Sequence, residues 1–470
     1  MRVERKKCME NKLERKYGLF TAICMVVGIV IGSGVFFKAQ TILTKTGGDM
    51  PLGILAWVIG GLIMLACLLT FSFMGQKYER VNGLVDYAEA TMGSRYGYLM
   101  GWFSATIYFP GMTSVLMWVT ARYTMEFIVS VNPDFPMTIP ASQGGCIIGP
   151  ECMALTLFYM CALYAVNVLS PKLAGKLQTS TTIIKMIPLA LMAVGGLVYG
   201  LASGMLQHNM ETTAQVAEVA ESPLFAAICS TAFAYEGWII ATSINSEIKD
   251  SKRNLPKALI SGGIIIMAVY ILYYIGVAGG ATNQELIDKG ATIAFTNIFG
   301  NTLGNVLSLF IAISCLGTAN GLMLACSRCM YALASRNEGP NPSVFGQIDK
   351  ETNMPGNSAV FALFITAAWF LYFYLSNLAC VWTGPFVFDS TELPIITIYL
   401  MYIPMFIQWM RKETEENTLR RFVIPALALC GSIFMVVASV FSHRMACFWY
   451  MIVFAVVMAI GVAMNKQKKN

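Results

Sequence analysis

Apolar runs of about twenty residues recur along the chain between short polar stretches, each long enough to cross a bilayer core of about 30 Å. The pattern predicts spans at 19–44, 51–75, 97–129, 153–170, 178–203, 223–246, 258–280, 303–334, 357–376, 382–410, 421–441 and 445–464. Several exceed twenty residues, as a tilted helix or one extending past the lipid would. No segment has the ~10-residue alternation of a membrane β-barrel. The fold class expected is therefore all-α integral membrane, with about twelve transmembrane helices.

Two spans are interrupted. The stretch "GIVIGSGVFF", Gly28 to Phe37, breaks the first with closely spaced glycines and a serine, and "TAFAYEGWII", Thr231 to Ile240, breaks the sixth. An odd number of crossings separates them, so a unit repeated at that interval enters the membrane from the opposite side. Unwinding a helix in lipid leaves N–H and C=O groups without partners, at several kcal/mol each. Such breaks are tolerated where a ligand or a wet cavity satisfies the backbone, and paired breaks in two halves mark a midplane site in secondary transporters. Glycine for close helix packing is the competing reading, since Gly28 and Gly32 have small-xxx-small spacing.

Charge then sets the orientation. Lysine and arginine total 32, and most fall in residues 1–18, 76–96, 171–177, 247–257, 335–356, 411–421 and the tail. The opposite loops hold Lys45, Lys289 and Arg444, with Lys38, Arg122, Lys185 and Arg328 inside spans. This bias puts both termini in the cytoplasm of a multi-pass cell membrane protein. It also explains the net charge of +6 without any nucleic acid. The basic start and the long apolar run after it read as an uncleaved signal anchor. The composition, 56% apolar and 12% charged, has about half the charge of a soluble domain.

Of the 13 cysteines, Cys146 and Cys152 fall in or beside one outer loop, where they could pair or stay free. The only histidines are His208 and His443, both near outer ends, so no metal or proton site in the core is expected of histidine, and no cofactor is expected. No Asn-x-Ser/Thr acceptor occurs. The spans offer no His-x-x-x-His, acid pair or phosphate loop, which argues against an enzyme, and no filter repeat or charged ring, which argues against a channel. "NQELIDKGATIAFTNIFG" reads as a short helix lying over the outer face. Arg122 and Glu126 read as an intrahelical pair, and Asn320 as an interhelical hydrogen-bonding residue.

The two interrupted motifs resemble those of the amino acid–polyamine–organocation superfamily. "FAYEGWIIATSINSEIKDSKRNLPKALI" and "CLGTANGLMLACSRCMYALASRNEGP" resemble its L-type amino acid transporter branch, including bacterial alanine-serine-cysteine and serine/threonine exchangers. The resemblance implies a leucine-transporter-like fold: an N-terminus at 1–18, inverted five-span repeats at 19–203 and 223–410, peripheral spans at 421–464 and a tail at 465–470. It implies exchange of neutral amino acids by alternating access, independent of sodium. The substrate carboxylate would sit on the N–H groups of Gly32, Ser33 and Gly34. The ammonium would be held by carbonyls of Ile29, Phe233, Ala234 and Glu236, and Phe233 would serve as gate.

Lys185, about eight residues into its span, is too deep to snorkel fully. The resemblance assigns its ammonium to the place where coupled relatives hold sodium, with Ser314 and carbonyls near Gly28 as partners. A proton-carrying lysine is the alternative. Glu236 departs from the glycine or apolar residue of many relatives. Leu322 stands where guanidinium-binding relatives carry a tryptophan, so a neutral substrate is favoured, with a proton-coupled or cationic amino acid or polyamine as the alternative. A partner subunit or homo-oligomer stays open.

Overall fold

The computed structural model describes residues 18–32, 34–78, 83–214, 221–239, 242 and 248–465, and among these the elements are all helices. The first span is two helices, α1 (Leu19–Val30) and α2 (Gly34–Lys45), bent by 42° where they meet. Next comes α3 (Met50–Lys77). Its start is fixed by the Asp49 carboxylate, which accepts the Leu52 N–H at 2.8 Å, and by Pro51 in the first turn.

The third span runs from Ser94 through a π turn at Ser104–Tyr108 into α4 (Phe109–Val131). Pro110 has no N–H to return to the Thr106 carbonyl. That carbonyl instead accepts the Trp369 indole N–H at 2.7 Å. The wide turn beside it carries Tyr108 at its last position, facing the middle of the bundle. α5 (Pro171–Leu191) follows the previous helix after Ser170 alone, so the polar stretch expected as a loop at 171–177 is helical.

The sixth span begins as α6 (Pro223–Ala234), a half-helix as long as α1. α7 (Ser251–Gly280) and α8 (Asn301–Ala334) complete the inner bundle with α9 (Leu393–Lys412). α10 (Ile424–Met464) breaks at Arg444, whose φ of 43° is not helical. α8 lies along α4, α7 packs on α3 and α1, and α6 packs against α2 and α3.

Eight described helices are long and apolar enough to cross a bilayer, and the bent α1–α2 pair makes nine. The expected twelve exceeds this for identifiable reasons. Leu419–Met464 counts once despite the break at Arg444, α6 is too short alone, and the third span, with its π turn, is not among those that pass. The outer face carries exposed Phe158, Phe364 and Phe441, as a surface toward lipid tails requires.

The segment expected as one covering helix is two, Asn283–Lys289 and Ala291–Phe299, jointed at Gly290 with φ 67°. Thr282 and Glu285 cap the first reciprocally. Cys146 and Cys152 are both buried free thiols. Arg122 pairs with Glu126 at 2.8 Å, as the spacing suggested.

Candidate functional site

The two helix breaks face each other at mid-bundle. Ile31 caps α1 with extended backbone (φ −70°, ψ 97°), and α6 stops at Ala234, followed by Gly237 at φ 102°. A Cβ on Gly34 would lie 2.6 Å from the Ala234 Cα. Close approach therefore requires glycine there, in keeping with the packing reading of the motif. Gly28 similarly abuts the Thr182 side chain.

A small cavity, with room for about one water molecule, lies between the breaks. Ile29, Gly32 and Gly34 wall it from the first break, and Phe233, Glu236 and Gly237 from the sixth. Tyr108, Met112 and Leu116 enter from the third span, Thr318 and Leu322 from α8. Five of the nine anticipated site residues thus share this wall, and Lys185 reaches it through the Thr318 hydroxyl. Ser33 lies outside the described residues.

Two expectations need correcting. Ala234 is absent from the wall, because its carbonyl turns away and accepts the Tyr270 hydroxyl at 3.0 Å. Ser314 does not meet Lys185. The ammonium donates to the carbonyls of Gly28 at 2.7 Å and Ile31 at 2.6 Å, and to Thr318 Oγ1 at 3.2 Å. Thr318 lies one helical turn beyond Ser314, whose buried hydroxyl has no hydrogen-bond partner among the described residues. Lys185 itself is fully buried. It sits at the carbonyl end of α1, where the helix dipole favours a cation.

Glu236 is buried in the cavity wall. Its Oε1 accepts the Tyr108 hydroxyl, while Oε2 has no hydrogen-bond partner among the described residues. Tyr235 packs behind the bend and donates to the Trp57 carbonyl at 3.0 Å. Asn320 bonds Asn167 at 2.9 Å and Gln178 at 3.1 Å, tying three helices together.

Phe233 stacks edge-on against Phe37 at 5.3 Å, and the Lys38 ammonium lies 5.4 Å from each ring. Lys38 bonds Glu392 at 2.5 Å. The same buried carboxylate meets His443 at 3.1 Å and Lys45 at 3.8 Å. This knot joins α2, α9 and the turn within α10 directly over Phe233. Sequence reading missed Glu392. The available signal was an acid inside the span drawn as 382–410, with a lysine inside span 1 as its counter-charge.

The groups around this cavity have the polarity of a zwitterion site. The N–H groups at the start of a helix suit a carboxylate, main-chain carbonyls beside the breaks suit an ammonium, and Met112, Leu116 and Leu322 offer an apolar side wall.

Comparison with known proteins agrees with this geometry. The model of the family described as "Amino acid permease" matches residues 17–463. The serine/threonine exchanger SteT of Bacillus subtilis (strain 168) is 27% identical, covering 98% of this chain and 99% of its own. The b(0,+)-type amino acid transporter 1 of Homo sapiens is 26% identical over 94% of this chain and 86% of its own. In fold, the chain resembles the crystal structure of MhsT in complex with L-phenylalanine. The TM-score is 0.60 at 14% identity, over 95% of this chain and 100% of that one.

Proposed function

The chain belongs to the amino acid permease family, and from that premise we propose that it is a sodium-independent exchanger of neutral L-amino acids working by alternating access. Amino acid transport is the shared activity in the names of its relatives. The observation carrying the finer reading is the Lys185 ammonium, held by two main-chain carbonyls of broken span 1 and by Thr318. A tethered cation at the unwound end replaces one that would dissociate, so no sodium gradient is needed to fill the site. The substrate carboxylate is assigned to the N–H groups of Gly32, Ser33 and Gly34, and the ammonium to carbonyls of Ile29, Phe233 and Glu236. Phe233 closes over it, and Met112, Leu116 and Leu322 receive an uncharged side chain.

The Oε2 of Glu236, without a hydrogen-bond partner among the described residues, supports a second reading, in which a cationic side chain or a transported proton meets this carboxylate. Positive charge concentrated on one set of loops supports a cell-membrane placement with both termini in the cytoplasm.

Uptake of labelled neutral, aromatic and cationic amino acids into proteoliposomes tests these readings. Neutral uptake that requires internal amino acid and ignores Na⁺ is expected. Uptake into empty vesicles driven by a pH gradient, or preference for cations, would move the assignment to Glu236.

A further inference from the structure

One buried carboxylate gathers partners from three other elements, and one of these is not part of the inner bundle. Glu392, just ahead of α9, meets Lys38 of α2 at 2.5 Å and the Ser230 hydroxyl of α6 at 3.4 Å through Oε1. Its Oε2 meets Lys45 of α2 at 3.8 Å and His443 Nε2 of α10 at 3.1 Å. α2 and α6 are half-helices that reach the cavity, so this carboxylate fastens both of them to α9. His443 adds the turn of α10 to the same fastening. That turn is made at Arg444, a non-glycine residue at φ 43°, a conformation that persists where its surroundings hold it. The pair of Arg444 with Glu221 is exposed and holds little, which leaves His443 as the firm contact.

The other charged and titratable groups nearby are already engaged. α3 packs along α10 and begins at Asp49, whose carboxylate is taken by the Leu52 N–H. Asp389, one turn before Glu392, accepts the N–H groups of Thr391 and Glu392. Cys229 of α6 shares the field of Glu392, Lys45 and Lys38. With a neutral imidazole, two ammonium groups face one carboxylate, and protonation would bring a third positive charge. The sign follows from distance and water. The new charge would lie 3.1 Å from the carboxylate, on a side chain 13% exposed. Lys45 stands farther off at 3.8 Å, is 26% exposed, and has the Ser230 hydroxyl at 2.7 Å as another acceptor. Solvent screens its repulsion, and Lys38 holds the other oxygen. Attraction wins, and a neutral hydrogen bond becomes a charge-assisted one, about twice as strong.

We infer that His443 is a proton-operated latch, through which the turn of α10 controls how firmly α2 and α6 are held to α9 above Phe233. Imidazole is the side chain that changes charge between about pH 5 and 8. Acid on that face, which the charge bias assigns to the exterior, tightens the hold of Glu392 and slows opening toward it. The proton stays on the protein and is not cargo, so the latch sets a rate and adds no driving force. The inference rests on the amino acid exchange reading for its kinetic consequence, and on the geometry alone for the latch.

The test compares the full-length parent with H443Q, which keeps an N–H donor and has no charge to gain. Proteoliposomes are held at the same pH inside and out, so that no gradient forms and the orientation of insertion does not matter. The ratio of the parent's maximal serine exchange rate to that of H443Q is expected near one at pH 8. At pH 5.5 it should fall about fivefold. Both proteins carry Glu236 and Lys185, so titration elsewhere cancels in the ratio. A ratio that ignores pH, or that rises on acidification, would overturn the latch.

Hydrogen–deuterium exchange on the detergent-purified proteins gives an answer independent of transport. Peptides covering 36–46, 224–232 and 388–396 should be better protected in the parent than in H443Q at pH 5.5, and alike at pH 8. Each comparison is made at one pH, so intrinsic exchange chemistry cancels. Equal protection at both pH values overturns the latch. If the unaltered protein exchanges no amino acid, the functional reading fails while this readout still decides the latch. Should H443Q not elute as a single species, H443K carries a fixed charge at the same place. It should match the parent at pH 5.5 and exceed its protection at pH 8, and no excess at pH 8 would count against a charge-operated latch.

Discussion

Two buried lysines occupy opposite kinds of site. Lys185 meets no carboxylate among the described residues: its ammonium is solvated by two carbonyls and a hydroxyl. Lys38 sits on Glu392, which also faces Lys45 and His443. The first arrangement copies the way a bare cation is coordinated, by dipoles from one unwound helix and its neighbour. The second is an ion-pair knot between elements distant in sequence, and separating them exposes full charges. The difference assigns Lys185 to holding the shape of a break, and the Lys38 knot to holding elements against each other above Phe233.

Replacing Lys185 by Met would leave the Gly28 and Ile31 carbonyls without their donor. Exchange in proteoliposomes should fall at least about a hundredfold, in line with about 1–3 kcal/mol for each of the two buried carbonyls left unsatisfied. Retention of a tenth of the activity would end the idea that this cation shapes the site.

Glu392→Gln should come next, since it strands Lys38 beside two aromatic rings. A fall of about 3 kcal/mol in stability is expected by thermal melting. The double variant with Lys38→Met should regain much of it. Simple additivity of the two changes would mean that the pair is not coupled.

The smallest effect belongs to Thr318→Val, which removes a hydroxyl shared by Lys185 and the Ile31 carbonyl. It should weaken apparent affinity by roughly 1 kcal/mol, about fivefold. Ser314→Ala should leave transport unchanged, and the reverse order would restore Ser314 as the partner of Lys185.

Much of this contrast could be read from the sequence, and the unread parts have clear physical causes. The glycines at 28, 32 and 34 and the Ala-Tyr-Glu-Gly run announce breaks because an unwound backbone must find partners. Lys185 stands out because a cation at that depth needs company. The choice between Ser314 and Thr318 was hidden because both lie on one face of α8. Only the axial offset between α5 and α8 separates them, by about 6 Å of rise over four residues. Ala234 was misassigned for a rotational reason. Each residue turns a helix by about 100°, so Phe233 meets the cavity while its neighbour points to α7. Glu392 stood out only as an acid inside a span, since its partner Lys38 lies 354 residues away in the chain.

The contact between Gly34 and the Ala234 backbone carries a consequence for how such a molecule can change over generations. With the breaks touching, a side chain added at Gly34 would force them apart. On the proposed reading, new cargo preferences would arise by altering Met112, Leu116 or Leu322, while the end common to every amino acid would be gripped by parts that tolerate little remodelling. Heredity can retune what is carried without relearning how to carry.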